Sequence, residues 1–241
     1  MVAEPHARDR PDIVLVDIEG TTTPVAFVHR VLFPHARAAL PALLAQTPHD
    51  PEVIEALAAL ARLAPGRDPL EHLTALMDRD EKLGPLKVLQ GVTWRTGYAD
   101  GRLVGELYPD VAPALRSWHA DGVRLAVYSS GSSEAQELLF RHTAVGDLTS
   151  LFDGFFDTRV GAKRELWSYA GIAGCLGVGP ASMLFLSDIE PELDAAQAAG
   201  MQTCQLVRAE DATQAGTRHQ VAADFDQVAE LFGLPAAGSP A

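Results

Sequence analysis

Apolar residues in this chain gather into short continuous runs, and the stretches between them carry helical periodicity. Five runs read as core strands: Ile13–Val16, Arg124–Tyr128, a weaker one at 154–156, 183–186 and 202–207. The uninterrupted, largely β-branched run Ile13–Val16 fits a strand buried on both faces, as in a parallel sheet. Ser132-Ser133-Glu134-Ala135-Gln136 reads as a helix start with a capping box from Ser133 to Gln136. Residues 192–199 are Ala-rich and stop at Gly200, a normal helix C-terminus. Strand–helix alternation of this kind predicts an α/β fold whose parallel sheet is covered on both faces.

The stretch between the first two strands is different, because no strand pattern occurs in residues 23–105. Asp50-Pro51 and Asp68-Pro69 each read as an N-cap followed by proline at the first helical position. Val53, Ile54, Leu57 and Leu60 are expected on one helical face, and Leu70, Leu73, Leu76 and Met77 on another. A helical insertion of about eighty residues is too long for a simple crossover. The expected organisation is an α/β core from residues 1–22 and 106–241, with residues 23–105 forming a helical cap able to close over the tip of the first strand. The tail 235–241 is small-residue and Pro/Gly-containing, and is expected to fray.

Bulk properties narrow the chemistry. The 241 residues are 47% apolar, enough for a real core. A formal charge of −13 argues against nucleic acid and against anionic membrane surfaces, since no basic face is available. Any anionic substrate must therefore meet cations gathered locally. Cys175 and Cys204 form no Cys-x-x-Cys pattern. They read as small core residues of a protein in a reducing, cytoplasmic compartment. The first residues, Met-Val-Ala-Glu-Pro-His, carry no charged-then-apolar signal pattern, and no apolar run approaches membrane-spanning length. The histidines, His29 and His35 among them, match no zinc-ligand spacing.

Chemistry-bearing residues fall at the strand ends. Asp17-Ile18-Glu19-Gly20-Thr21-Thr22-Thr23 follows the first strand, at the edge where open α/β sheets place ligands. Asp17 and Glu19 leave the strand on the same side. Gly20 allows a sharp turn, and the threonines offer donors to an anion. Such an acid pair calls for a counterion, and magnesium, a hard cation that prefers oxygen, fits. Acids after strands also serve as plain turn formers, so the other strand ends carry weight. The second strand ends in Ser129-Ser130-Gly131-Ser132 before a helix, a phosphate-binding geometry that also suits simple N-capping. Lys163 precedes another helix as a possible point charge on phosphate. The fourth strand ends in Ser187-Asp188, with Glu192 four residues on. Asp188 could complete a magnesium shell with Asp17, and Glu192 could bond that shell or Lys163.

Taken in order, Asp17 to Thr21, Ser129-Ser130, Lys163 and Ser187-Asp188 resemble the four motifs of the haloacid dehalogenase superfamily of aspartate-nucleophile phosphatases. Asp-Ile-Glu-Gly-Thr-Thr-Thr-Pro-Val-Ala-Phe-Val resembles in particular the enolase-phosphatase family of methionine salvage. Leu32-Phe33-Pro34, Leu89-Gln90-Gly91 with Trp94, and Tyr128-Ser129-Ser130-Gly131-Ser132 agree with it. The resemblance implies a Rossmann-like core with a helical cap, one magnesium ion per chain, and a small phosphate ester as substrate. That ester would be 2,3-diketo-5-methylthiopentyl 1-phosphate, enolised and then dephosphorylated to the acireductone. It also implies roles. Asp17 would be the nucleophile and Glu19 the general acid and then base. Thr21, Ser129, Ser130 and Lys163 would hold the phosphoryl group. Asp17, Asp188 and Glu19 (through its carbonyl) would bind the metal. Gln90 and Trp94 would face the methylthio tail, although Trp94 also fits a place in the cap's own core. Glu19 and Lys163 both remain open as the base that takes the carbon-bound proton. A monomer is expected. Two other readings compete. One is a sugar-phosphate phosphatase of the same superfamily, which should carry aspartate at position 19. The other is a receiver-type phosphoacceptor domain, which needs neither Glu19 nor the insertion.

Overall fold

The computed structural model describes residues 10–47, 50–79, 81 and 83–238. The first nine residues and 239–241 lie outside them, and with them the reading of the N-terminus. At the centre runs β1 (Ile13–Val16), all four residues fully buried. Burying such side chains is worth about 1.5–3 kcal/mol each, against roughly 1–2 kcal/mol per residue for ordering the backbone, so four in a row hold the strand extended. It pairs in parallel with β2 (Arg124–Tyr128) on one side and β4 (Met183–Ser187) on the other. The sheet is completed by β3 (Phe152–Phe156), β5 (Gln202–Leu206) and β6 (Gln220–Ala222), in the order β3-β2-β1-β4-β5-β6.

This order reverses direction between β1 and β4, the switch point where open sheets leave a crevice. Register sets which residues share it. Val16 lies beside Val127 and Leu186, so Asp17, Tyr128 and Ser187 leave the sheet at one level. One face packs Val14, Val16, Leu125 and Leu186 against α6 (Val111–Ala120), α7 (Ser133–Arg141) and α10 (Phe225–Phe232). The other packs Ile13, Leu15 and Phe185 against α8 (Leu166–Leu176) and α9 (Glu190–Ala198).

Between β1 and α6 the described residues form further helices. These are α1 (Val25–Phe27), a π-helical turn Val28–Leu32, α2 (Phe33–Ala45), α3 (Pro51–Leu63), α4 (Pro69–Asp78) and α5 (Gly84–Ala99). The last four bury an apolar cluster of their own, around Leu40, Leu60, Leu73 and Leu89. The proline starts predicted for α3 and α4 are present, and the Asp68 side chain caps α4 by accepting from the Glu71 N–H.

Several expectations are corrected. β6, only three residues at the sheet edge, carries no apolar run and was not foreseen. Ile54 is 54% exposed, because it sits 100° round the helix from buried Val53. Cys175 is exposed while Cys204 is buried. Its apolar neighbours on α8 face the sheet and it does not, so sequence neighbourhood misled where helical phase decides. The cap of α7 is Ser132, one residue earlier than predicted. Gln136 instead donates to the carbonyls of Gly131 and Phe156, tying the β2–α7 loop to β3. Residues 235 and 236, expected to fray, accept hydrogen bonds from Trp118 Nε1 and Ser117 Oγ.

Candidate active site

Asp17 is 5% exposed, directly beyond β1. Its Oδ1 accepts the Ile18 N–H at 2.7 Å and pairs with Lys163 Nζ at 2.7 Å, while Oδ2 lies 3.3 Å from Ser187 Oγ. The turn after it winds tightly, with the N–H groups of Thr21, Thr22 and Thr23 all pointing at the Ile18 carbonyl. Gly20 makes this possible with φ +69°. A Cβ there would stand 2.6 Å from Asp188 Oδ2, so only glycine lets the Asp188 carboxylate approach the turn this closely.

Lys163 is 8% exposed and paired with two acids, Asp17 at 2.7 Å and Glu192 Oε2 at 2.6 Å. Burial pushes its ammonium pKa down, but the two carboxylates outweigh this and hold it above the usual lysine value, so it stays charged. The loop that presents it is fixed by two tyrosines. Tyr128 Oη donates to the Gly161 carbonyl, and Tyr169 Oη donates to the carbonyl of Lys163 itself. Burial, with the charge of Asp17 added, raises Glu192 above an ordinary glutamate. Burial, and then Asp17, push Asp188 up to about 7. Asp17, Asp188 and Glu192 thus face a single cation, Lys163. Ionised together, the three acids would leave two negative charges uncompensated in a sheltered crevice, which suits a divalent cation. Among the described residues no group of three or more His, Cys, Asp or Glu side chains is gathered as a metal cage. The donors on offer are two carboxylates and backbone oxygen, a hard set that fits magnesium better than zinc.

Beside the crevice lies a cavity of about 350 Å³ between the helices of residues 25–99 and the ends of β1 and β2. Glu19, Ser129 and Ser130 line its core side, and Lys87, Gln90 and Trp94 its helical side. The rest of the wall is largely apolar, including Val28, Leu32, Phe33, Met77, Leu86 and Leu139. The π-helical turn brings Val28, His29 and Leu32 to the wall together; such turns often mark functional positions.

The expected residues therefore fall into three groups. Asp17, Lys163 and Asp188 share the crevice; Glu19, Ser129, Ser130, Gln90 and Trp94 share the cavity. Thr21 belongs to neither, being fully buried within the turn, with no hydrogen-bond partner for Oγ1 and its carbonyl held by Arg208 at 2.7 Å. Trp94 presents its ring to the cavity while Nε1 donates to the Leu32 carbonyl at 2.9 Å. Lys87 was not foreseen. It donates to the Ser130 carbonyl at 3.0 Å, bridging the helical layer and the core. Its signal was present in the spacing: 87, 90 and 94 are three and four apart, one face of a helix.

Residues 11–200 match the family model of haloacid dehalogenase-like hydrolases. Enolase-phosphatase E1 of Gluconacetobacter diazotrophicus is 60% identical, covering 95% of this chain and 97% of its own. Enolase-phosphatase E1 of Acidiphilium cryptum is 56% identical, covering 94% and 97%. The crystal structure of the UTR4 protein of Saccharomyces cerevisiae superposes with a TM-score of 0.76 at 34% identity, over 90% of this chain and 99% of that one. The chain belongs to the haloacid dehalogenase-like hydrolases and, within them, to the enolase-phosphatase E1 family.

Proposed function

We propose that this chain converts 2,3-diketo-5-methylthiopentyl 1-phosphate to 1,2-dihydroxy-3-keto-5-methylthiopentene and phosphate, as a magnesium-dependent enolase-phosphatase of methionine salvage. The observation that carries the mechanism is the juxtaposition of Asp17 with a charged, buried Lys163 at the edge of a cavity that also holds Glu19. In this reading Asp17 attacks phosphorus and becomes an aspartyl phosphate as the substrate's enol oxygen leaves. Glu19 protonates that oxygen and then takes a proton from the water that frees the phosphate. Ser129, Ser130 and Lys163 hold the phosphoryl oxygens as charge redistributes. Asp17, Asp188 and the carbonyl of Glu19 would hold the magnesium ion. When bound, it supplies positive charge that offsets the acids and the phosphate and polarises a substrate oxygen. Thr21 serves through the backbone of its turn. Lys87, which lines the same cavity as Glu19, would offer an ammonium to the diketone oxygens during enolisation.

Residues 23–105 act as the cap, and the apolar wall they build takes the methylthio tail. At about 0.8 kcal/mol per buried methylene-sized group, that tail adds roughly 2–3 kcal/mol, a preference of roughly 30- to 150-fold over a tail-less phosphate. Neither Cys175 nor Cys204 is in a disulfide, which fits a cytoplasmic location, and among the described residues no helix is long and apolar enough to cross a membrane. The deciding experiment supplies the diketone phosphate and common sugar phosphates side by side with magnesium, following acireductone absorbance and released phosphate separately. Comparable turnover of the sugar phosphates would reject the assignment.

Two further results are expected. Glu19→Gln should lower phosphate release by about 10²-fold or more, since proton transfer in both half-reactions is lost. An unchanged rate removes Glu19 from that role. The second concerns pH. Without a cation, Asp188 titrates near 7 in the folded chain, above its unfolded value of 3.8. Its contribution to stability is therefore complete below about pH 4 and is lost as pH rises through about 7. Magnesium needs the ionised carboxylate, so the rise in melting temperature it gives should be small at pH 6 and grow by pH 8. Asp188→Asn should abolish that growth. A magnesium effect independent of pH in the unsubstituted chain would contradict the assignment of Asp188 as a ligand.

A further inference from the structure

The helical layer joins the core at two places, and one carboxylate touches both. The outgoing chain passes Thr23-Pro24 and enters α1 at Val25; the returning chain passes Tyr108 before α6. Asp211, in the loop after β5, accepts the Val25 N–H through Oδ2 at 3.1 Å, and the same oxygen accepts the hydroxyl of Tyr108. The Val25 N–H is one of the unpaired donors at a helix start, so a carboxylate there meets a ready partner. Burial first, and Asp211 beside it, push the Tyr108 phenol up, so it remains a donor.

The same loop reaches the catalytic turn. The buried Arg208 guanidinium lies 4.1 Å from the Tyr108 ring centre and donates to the Thr21 carbonyl, while two of its bonds go to Asp110. The Tyr108 N–H in turn donates to the Thr22 carbonyl at 3.1 Å. Both linkers are thus fastened to the turn that carries Asp17 and Glu19. We propose that Asp211 is a positioning residue: it holds the two linkers together on a single oxygen and so sets where Lys87, Gln90 and Trp94 stand over Glu19 and Ser130. Neither linker can swing without surrendering a bond to that oxygen, so the approach of the helical layer to the core depends on it.

The inference rests on the cap reading above, so its test has one readout that needs the diketone and one that does not. Asp211→Ala should raise KM for the diketone phosphate about tenfold, the scale of one lost charged hydrogen bond. Acetyl phosphate, too small to span to α5, should change by less than about twofold under the same variant. Asp211→Asn keeps an acceptor oxygen for both donors and should stay within about threefold of the unsubstituted chain on both substrates. In native-state hydrogen exchange, the Val25 amide and residues 105–108 should exchange at least about tenfold faster in Asp211→Ala, with β1 and β4 unchanged. Equal losses on the two substrates, or unchanged exchange at Val25, overturn the proposal. If the unsubstituted chain leaves the diketone untouched, the functional reading fails, and the exchange rates alone then decide for or against Asp211.

Discussion

Asp17→Asn is expected to lower phosphate release by about 10⁴-fold or more, with the fold and the melting temperature little harmed. The size follows from the step being removed, since an amide has neither the negative charge nor the lone-pair basicity to attack phosphorus. The small structural penalty follows from local geometry. Oδ1 keeps its Ile18 N–H in the variant, and an amide fits the same 5% exposed space. What changes is the charge set. Asp188 and Glu192 lose a repelling neighbour, so both should ionise more readily, while Lys163 keeps Glu192 at 2.6 Å. The variant should therefore still bind inorganic phosphate or a substrate analogue, and its loss should lie in turnover. Acid-quenched trapping with labelled substrate checks the chemistry: label should be retained on the unsubstituted chain and absent from Asp17→Asn. Release that survived the substitution, or label that remained on the variant, would exclude an aspartate nucleophile at this position.

How much of this was legible beforehand depends on whether the determinant is local. β1, β2 and β4 announce themselves because a central parallel strand must be apolar on both faces, and residues following such strands must meet at one sheet edge. Asp17, Ser129, Lys163 and Asp188 were accessible for that reason, as was the pairing of Glu192 with Lys163, suggested by position and found at 2.6 Å. Lys87 needed only a helical wheel. Arg208 and Asp211 had no such signal. Arg208 meets Thr21 187 positions away in the chain, and Asp211 meets Val25 across 186. Only the strand order, with β5 beyond β4, brings their loop under the first turn. Thr21 shows the opposite failure. Its residue type and place suited a phosphate contact, but the turn rotates its side chain inward, and type alone cannot tell which way a tight turn points.

The other large effect is expected at Lys163. Substitution by methionine, similar in length and apolar, should destabilise the chain by about 3–5 kcal/mol, because it strands Asp17 and Glu192 without their shared cation. For a chain of this size that is a fall in melting temperature of roughly 6 to 20 °C. The deficit should depend on pH with a definite sign. Glu192 is already raised by burial and by Asp17, and losing the ammonium raises it further. A carboxyl group whose folded pKa lies above its unfolded value contributes stability below the unfolded value and loses it as pH climbs through the folded one. The gap between the two chains should therefore be narrower at pH 5 than at pH 8. Activity should fall by about 10²-fold or more, since a fixed positive charge at the phosphoryl oxygens is lost. A second substitution separates the two effects. Glu192→Gln in the Lys163→Met background removes one of the stranded charges, so it should return part of the melting temperature and none of the turnover. A gap equal at pH 5 and pH 8 would contradict the electrostatic account of Lys163. Recovery of turnover in the double variant would mean that its part in catalysis is only to neutralise Glu192.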